Sequence, residues 1–344
     1  MKPRELATVL SAAFALRANL LVTGAPGIGK TDIITSTAAQ AGVEVMISHP
    51  AVQDPTYASG LPWFDGKGGA THLPFGNLAR AIKADRPTVW FLDDLGQAPP
   101  AVQAAYMQLL LARELDGQRI SEHITFVAAT NRRGDRAGVS GILEPVKSRF
   151  HSIVELEACP VQWREWGVKN GLNPTLLAFI AFRPALLSDF KPTADLTNSP
   201  SPRGWKAVNG WLQAGLPMTI LEPTLAGAVG PQAAGELCNF LAMAKQMPDP
   251  AKVLADPARA PIPNDASVQW ALVTALADLA SRSGTEAVEA AVLYTKRLFA
   301  AGLAEMGTLL IQDLLQRSPE AHRSLAIVAL LTDRSNGIAA LLAA

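Results

Sequence analysis

The sequence predicts an α/β domain built on a five-stranded parallel sheet, followed by a helical domain and a further helical C-terminal region. Three observations support this expectation. Five short runs, NLLVT (19–23), VEVMI (43–47), TVWFL (88–92), ITFVA (124–128) and SIVEL (152–156), are rich in strand-forming apolar residues, and helical patterns such as 30–41 and 101–113 separate most of them. Near-continuous apolar strands with helices between them form parallel sheets covered on both faces. After Leu156 the strand signal fades. From Val161 onward helical patterns are broken by the stretches KPTADLTNSPSPRG and MPDPAKVLADPARAPIPND. Hydrophobic residues make up 49% of the 344 but aromatic ones only 6%, an Ala- and Leu-rich mix that favours helices over an all-β fold. The expected domains are 1–156, 157–246 and 247–344.

The opening stretch MKPRELATVLSAAFALRANLLVTG superficially resembles a leader peptide, but Glu5 and Arg17 bracket its apolar run. An amphipathic helix over 3–17 and a strand over 19–23 explain the same residues better. No apolar run reaches about 18 residues, so no membrane span is expected and a cytoplasmic protein is. The first strand leads into Gly24-Ala25-Pro26-Gly27-Ile28-Gly29-Lys30-Thr31, a complete G-x-x-x-x-G-K-T between a predicted strand and a predicted helix. Its glycines let the backbone wind round a phosphate with N–H groups inward, and the positive end of the helix dipole adds to the attraction. Lys30 is placed for the β- and γ-phosphates, and the Thr31 hydroxyl for Mg²⁺.

After the second strand, residues 54–82 form an insert. Extended patches at 61–64 and 71–74 flank DGKGG, a hairpin signal. Trp63 and Phe64 beside that tip either grip a partner or pack the insert onto its own domain. The strand TVWFL ends in Asp93 and Asp94: Asp93 is placed to hold Mg²⁺ through water, and Asp94 to polarise an attacking water. ELDGQRI (114–120) predicts a further hairpin. In the C-terminal hundred residues, ASVQWALVTALADLASRS and TEAVEAAVLYTKRLFAAGLAEMGTLLIQDLL have helical apolar spacing and no catalytic motif, so packing or docking helices are expected. A zero net charge argues against a nucleic-acid partner. Cys159, Cys238 and the five histidines have no metal-ligand spacing, and buried thiols are expected for the two cysteines.

GAPGIGKT, FLDDLGQAPPAVQAAYMQLLLARELDGQ, FVAATNRRGDRAGV, LEPVKSRF and SPRGW occur in this order. Together they resemble the AAA+ ATPases, specifically their MoxR-like branch, over roughly residues 5–245. The resemblance implies a P-loop NTPase core with a helical lid, using ATP and Mg²⁺. It implies that Asn131 is the sensor that orients the lytic water. Arg149 is implied as the arginine finger that reaches the nucleotide of a neighbouring subunit, and Arg203 as a second sensor opening a lid helix capped by Ser199 or Ser201. Also implied are a homo-oligomeric ring, a hexamer, a partner with a von Willebrand factor A domain, a protein client, and an insert that faces the pore or the bound partner. The basic cluster Arg132, Arg133 and Arg136 is open between a subunit interface and a solvated surface.

One position departs from the family, which carries Glu where this chain has Asp94. Asp is one methylene shorter, which moves its oxygens by roughly 1.5 Å. A misplacement of about 1 Å can cost a hundredfold in rate, so a slow, assembly-dependent ATPase is expected. The alternatives are a nucleic-acid-directed motor, or a nucleotide-gated binding module with negligible hydrolysis.

Overall fold

The structure, a computed structural model, describes residues 1–115, 117–135, 141–193, 195–318 and 321–332. The chain divides into two compact units, Met1–Cys159 with Phe190–Asp195, and Pro160–Asp189 with Leu196–Ala344.

The first unit begins with α1 (Pro3–Leu16), whose Glu5 carboxylate accepts from the Lys2 N–H at 2.8 Å and whose Leu6, Leu10, Ala13 and Phe14 form one buried stripe. Then come β1 (Leu20–Gly24), α2 (Lys30–Gln40), β2 (Glu44–Ser48), α3 (Thr56–Ser59), β3 (Leu61–Phe64), β4 (Ala70–Leu73), α4 (Gly76–Lys83), β5 (Thr88–Leu92) and α5 (Pro100–Ala112). The unit closes with β6 (Glu114–Leu115), β7 (Gln118–Arg119), β8 (Ile124–Asn131), α6 (Glu144–Lys147) and β9 (Ser152–Leu156). The five predicted strands form one parallel sheet in the order β2-β5-β8-β1-β9.

The apolar runs are continuous because alternate residues enter different cores. On one face Leu20, Val22, Val89, Phe91, Val127 and Ala129 pack with Leu6, Leu10, Ile34 and Ala38 of α1 and α2. On the other, Leu21, Trp90, Leu92, Phe126 and Ala128 pack with Leu78 of α4 and Val102, Tyr106 and Leu109 of α5. A strand covered twice has no polar side to show in its sequence.

Three strands differ in extent from the expectation. β1 and β2 each run one residue later than predicted, and β8 continues to Asn131. Ser48 is accommodated at the end of β2 because its hydroxyl accepts from Trp90 Nε1 at 2.9 Å. β8 is long because it stays paired with β1 as far as Gly24 opposite Asn131.

The insert is an antiparallel hairpin with Leu61 opposite Leu73 and Phe64 opposite Ala70. Trp63 and Phe64 are 62% and 67% exposed, so they do not pack the insert onto its own unit. The Asp65 carboxylate accepts from the N–H groups of Lys67 (2.7 Å) and Gly69 (2.9 Å), which closes the tip.

The described part of the second unit is helical: α7 (Pro160–Lys169), α8 (Pro174–Phe182), α9 (Pro202–Gln213), α10 (Met218–Val229), α11 (Pro231–Ala244), α12 (Pro250–Ala255), α13 (Ala266–Ser283), α14 (Thr285–Ala300), α15 (Ala304–Arg317) and α16 (Leu325–Thr332). α13 is central, with Leu272, Val273, Leu276, Ala277 and Ala280 buried in one cluster with residues of α14 and α15. A buried ion pair, Arg164 Nη2 to Asp313 Oδ1 at 2.7 Å, ties α7 to α15. Ser201, not Ser199, caps α9, its hydroxyl accepting from the Gly204 N–H at 3.1 Å. Cys159 and Cys238 are buried and unpaired. No described helix is long and apolar enough to cross a membrane.

Candidate functional site

Parallel sheets place ligand-binding loops at the carboxyl ends of their strands. Here β1 lies beside β8, and β8 beside β5, so Gly24, Asn131 and the residues after Leu92 meet at one edge. The loop from Gly24 to Gly29 joins this edge to α2. Two of its glycines are required for different reasons. A Cβ on Gly24 would come within 2.9 Å of the Leu156 carbonyl oxygen on neighbouring β9. Gly29 has room for a Cβ but sits at φ +105°, where L-residues are strained.

Lys30, the first residue of α2, is buried. Its ammonium donates to the carbonyl oxygens of Gly24 (2.9 Å) and Ala25 (3.0 Å) and to Asn131 Oδ1 (2.8 Å). Loop, helix start and the end of β8 therefore converge on one cation, beside the N-terminal N–H groups and positive dipole end of α2. The Thr31 hydroxyl donates to Asp93 Oδ2 at 2.9 Å. Asp93 is held in turn by its own N–H, which donates to Ser48 O (2.9 Å), and by its Oδ1, which accepts from the Asp94 N–H (3.1 Å). A hydroxyl and a carboxylate in contact are a hard-oxygen pair of the kind Mg²⁺ takes alongside phosphate oxygens and water. No group of three or more His, Cys, Asp or Glu with metal-binding geometry occurs among the described residues. The Thr31 hydroxyl and the Asp93 carboxylate fit Mg²⁺ held jointly with a phosphate.

Asp94 is half-buried and takes the left-handed conformation, φ 55° and ψ 36°, as the chain turns into a short 3₁₀ segment. A non-glycine residue there carries backbone strain, which clusters at functional sites. No sequence pattern announced it.

The structure does not bring Arg149 to this edge. It precedes β9, whose Ser152 pairs with Leu20 at the start of β1, while the loop leaves β1 at Gly24. Four residues of strand rise put the two about 13 Å apart along β1 alone. Asn19, buried just before β1, pins the Arg149 segment: its Nδ2 donates to Arg149 O (3.1 Å), its O accepts from His151 N (2.8 Å), and its N–H donates to His151 Nδ1 (2.9 Å). Sequence reasoning missed Asn19. The signal was a polar residue opening an apolar strand. Arg203 belongs to the second unit, exposed in the first turn of α9. Arg132 is tied to Asp135 (3.1 Å) and Glu155 (3.3 Å), and Asp135 chiefly raises its pKa above the ordinary value. Arg133 is exposed, and Arg136 lies outside the described residues.

Comparison with known proteins matches residues 20–158 to the ATPase family associated with various cellular activities (AAA). No protein with a curated description matches the chain in sequence. Among solved structures, the chain is similar to the Thermotoga maritima RuvB Holliday junction branch migration motor, at 17% identity over 87% of each chain with a TM-score of 0.41. It is also similar to a proline-to-glycine mutant of Thermotoga maritima RuvB, at 18% identity over 74% of this chain and 75% of that one, with a TM-score of 0.42. Likeness at this level says nothing about function. The stretch that is similar to the AAA ATPase family, residues 20–158, holds the phosphate loop, the paired carboxylates and Asn131.

Proposed function

We propose that the chain is a ring-forming ATPase of the MoxR-like AAA+ branch, which uses ATP hydrolysis in the cytoplasm to remodel a protein client. The observation that supports this best is the convergence of Lys30, Asn131, Thr31 and Asp93 at the carboxyl edge of the sheet. The loop N–H groups of residues 24–31 cradle the phosphates, and Lys30 neutralises the β- and γ-phosphates. Thr31 and Asp93 hold Mg²⁺, which when bound offsets phosphate charge. Asp94 takes up the proton as a water oxygen attacks the terminal phosphorus and the bond to the bridging oxygen breaks, while Asn131 orients that water. Because Arg149 lies at the opposite edge of its own sheet, it acts on the nucleotide of a neighbouring subunit, which makes turnover depend on assembly. Arg203, from a lid formed by residues 157–246, couples nucleotide state to lid angle. Residues 247–344 pack or dock.

The ring is a hexamer, and its partner is a protein with a von Willebrand factor A domain. Turnover is slow because Asp94 is one methylene shorter than the Glu of the family. Steady-state hydrolysis by the wild type and Asp94→Asn, over a range of protein concentrations, tests the reading. The wild-type rate per subunit should rise with concentration, with Asp94→Asn binding ATP but not hydrolysing it. Equal inertness of both while they bind ATP would replace the enzyme with a nucleotide-gated module. Stimulation by DNA with steep salt dependence would replace the protein client with nucleic acid.

A further inference from the structure

The opposite edge of the sheet, which the proposed chemistry uses only through Arg149, holds a cavity of about 500 Å³. Arg17, Arg113 and Arg149 line it, with Glu122 as the one carboxylate among its lining residues. Glu122 is largely exposed and meets Arg17 at 3.3 Å, a contact too solvated to cancel three guanidinium charges.

The three arginines are delivered by three different segments of the chain. Arg17 ends α1 and Arg113 ends α5, each in the left-handed conformation, φ 54° and φ 51°. Among the described residues the only other non-glycine with positive φ is Asp94. Helices usually give this position to glycine, so two helix ends here accept backbone strain that places an arginine at the same cavity. The Arg113 guanidinium is fixed by donating to Ser121 O (3.2 Å) and Ile124 O (2.7 Å) and lies 5.6 Å from the centre of the Phe126 ring. Burial first, and Arg17 second, push its pKa below the ordinary value, so two cations compete for the same space. Arg149 donates to Ser148 Oγ at 2.9 Å, but its Nε is buried without a partner. A buried donor of this kind calls for an acceptor.

We propose that this cavity is a phosphate cradle, in which Arg17 and Arg113 act with Arg149 on the terminal phosphate of a nucleotide held by the Lys30 loop of a second copy of the chain. The assignment rests on the reading of Arg149 as a group acting between subunits. Three guanidinium groups facing one exposed carboxylate match a multiply charged phosphate, whose oxygens take charge-assisted hydrogen bonds. The phosphate cannot come from the same chain, because that chain's own loop leaves the far edge of the sheet, beyond the reach of an arginine side chain.

The test uses the full chain carrying Asp94→Asn, alone and with a second change. ATP-driven self-association is read by sedimentation velocity at fixed ionic strength. Arg17→Gln and Arg113→Gln are each expected to weaken assembly by about tenfold or more, with ATP affinity of the dilute, unassembled chain unchanged. Arg17 is half-exposed and tolerates replacement, so it decides the matter where Arg113→Gln disturbs folding. Assembly insensitive to Arg17→Gln but abolished by Arg149→Ala overturns the cradle and leaves the role of Arg149 standing. Failure of Asp94→Asn to assemble with ATP, or indifference to Arg149→Ala, overturns both. Thermal stabilisation of a Lys30→Ala chain by inorganic phosphate that Arg17→Gln removes, with assembly unchanged, assigns the cavity to free phosphate and overturns the second-copy source.

Discussion

Gly29→Ala separates backbone strain from steric fit at the phosphate loop. Gly29 sits at φ +105° and ψ 19°, where the loop becomes α2, and a Cβ added there meets nothing within 4 Å. Alanine therefore fits, and the whole penalty lies in the backbone. Left-handed geometry costs an L-residue roughly 1–2 kcal/mol, and +105° lies well beyond the small basin near +57°, which moves the cost to about 2–3 kcal/mol. That strain must appear in one of two places. A loop that keeps its shape without nucleotide lowers the unfolding free energy; a loop that relaxes lowers ATP affinity instead. If all of it falls on binding, affinity drops by roughly 30- to 150-fold, since 1.4 kcal/mol is a factor of ten. Denaturant unfolding of the free chain and titration with a fluorescent ATP analogue measure the two losses, which should sum to about 2–3 kcal/mol. Both quantities unchanged would refute the claim that the loop needs this geometry. Gly24→Ala is the contrast. Its Cβ would press on the Leu156 carbonyl at 2.9 Å, so its loss should appear in stability, through the β1–β9 pair.

Other sites give sharp expectations. Asp313→Ala strands the buried Arg164 guanidinium and should cost about 3–5 kcal/mol by denaturant unfolding, while Arg164→Met with Asp313→Leu should cost far less; a single-variant loss below about 1 kcal/mol would argue against this. The N–H groups of Lys67 and then Gly69 hold the Asp65 carboxyl below its ordinary value. A depressed folded value means stabilisation is present above the ordinary carboxylate range and is lost as pH falls through the folded value. Amide-exchange protection at the hairpin tip should therefore fall below about pH 4 and become pH-independent in Asp65→Asn, and a flat wild-type profile would contradict it. Asn131→Ala removes one of the oxygens that hold Lys30. It should lower ATP turnover by about a hundredfold while ATP affinity changes little, and an equal loss in both would mean that Asn131 serves binding instead.

Much of this molecule could be read from local sequence. The three inner sheet strands were legible because a strand covered on both faces is apolar throughout, while β2 and β9 at the sheet's margins showed through their β-branched and apolar residues alone. The phosphate loop was legible because its glycines and Lys30 must keep a fixed spacing within one short stretch to wrap an anion. Strand ends were less clear, since Ser48 and Asn131 stay in their strands through partners remote in sequence, Trp90 and Gly24. Other features depend on which segments the fold brings together. The order β2-β5-β8-β1-β9 puts Asn131 on Lys30 and keeps Arg149 at the other edge, and no periodicity encodes which strands are neighbours. Asn19 pinning residues 149–151, and Arg164 meeting Asp313 across 149 positions of chain, are likewise products of long-range closure. Trp63 and Phe64 read equally as core or as surface until the hairpin placed them in solvent. Local spacing selects the elements because it acts through the backbone between near neighbours. Neighbourhood in space is settled when apolar faces find each other, and that process brings the polar groups of the site together.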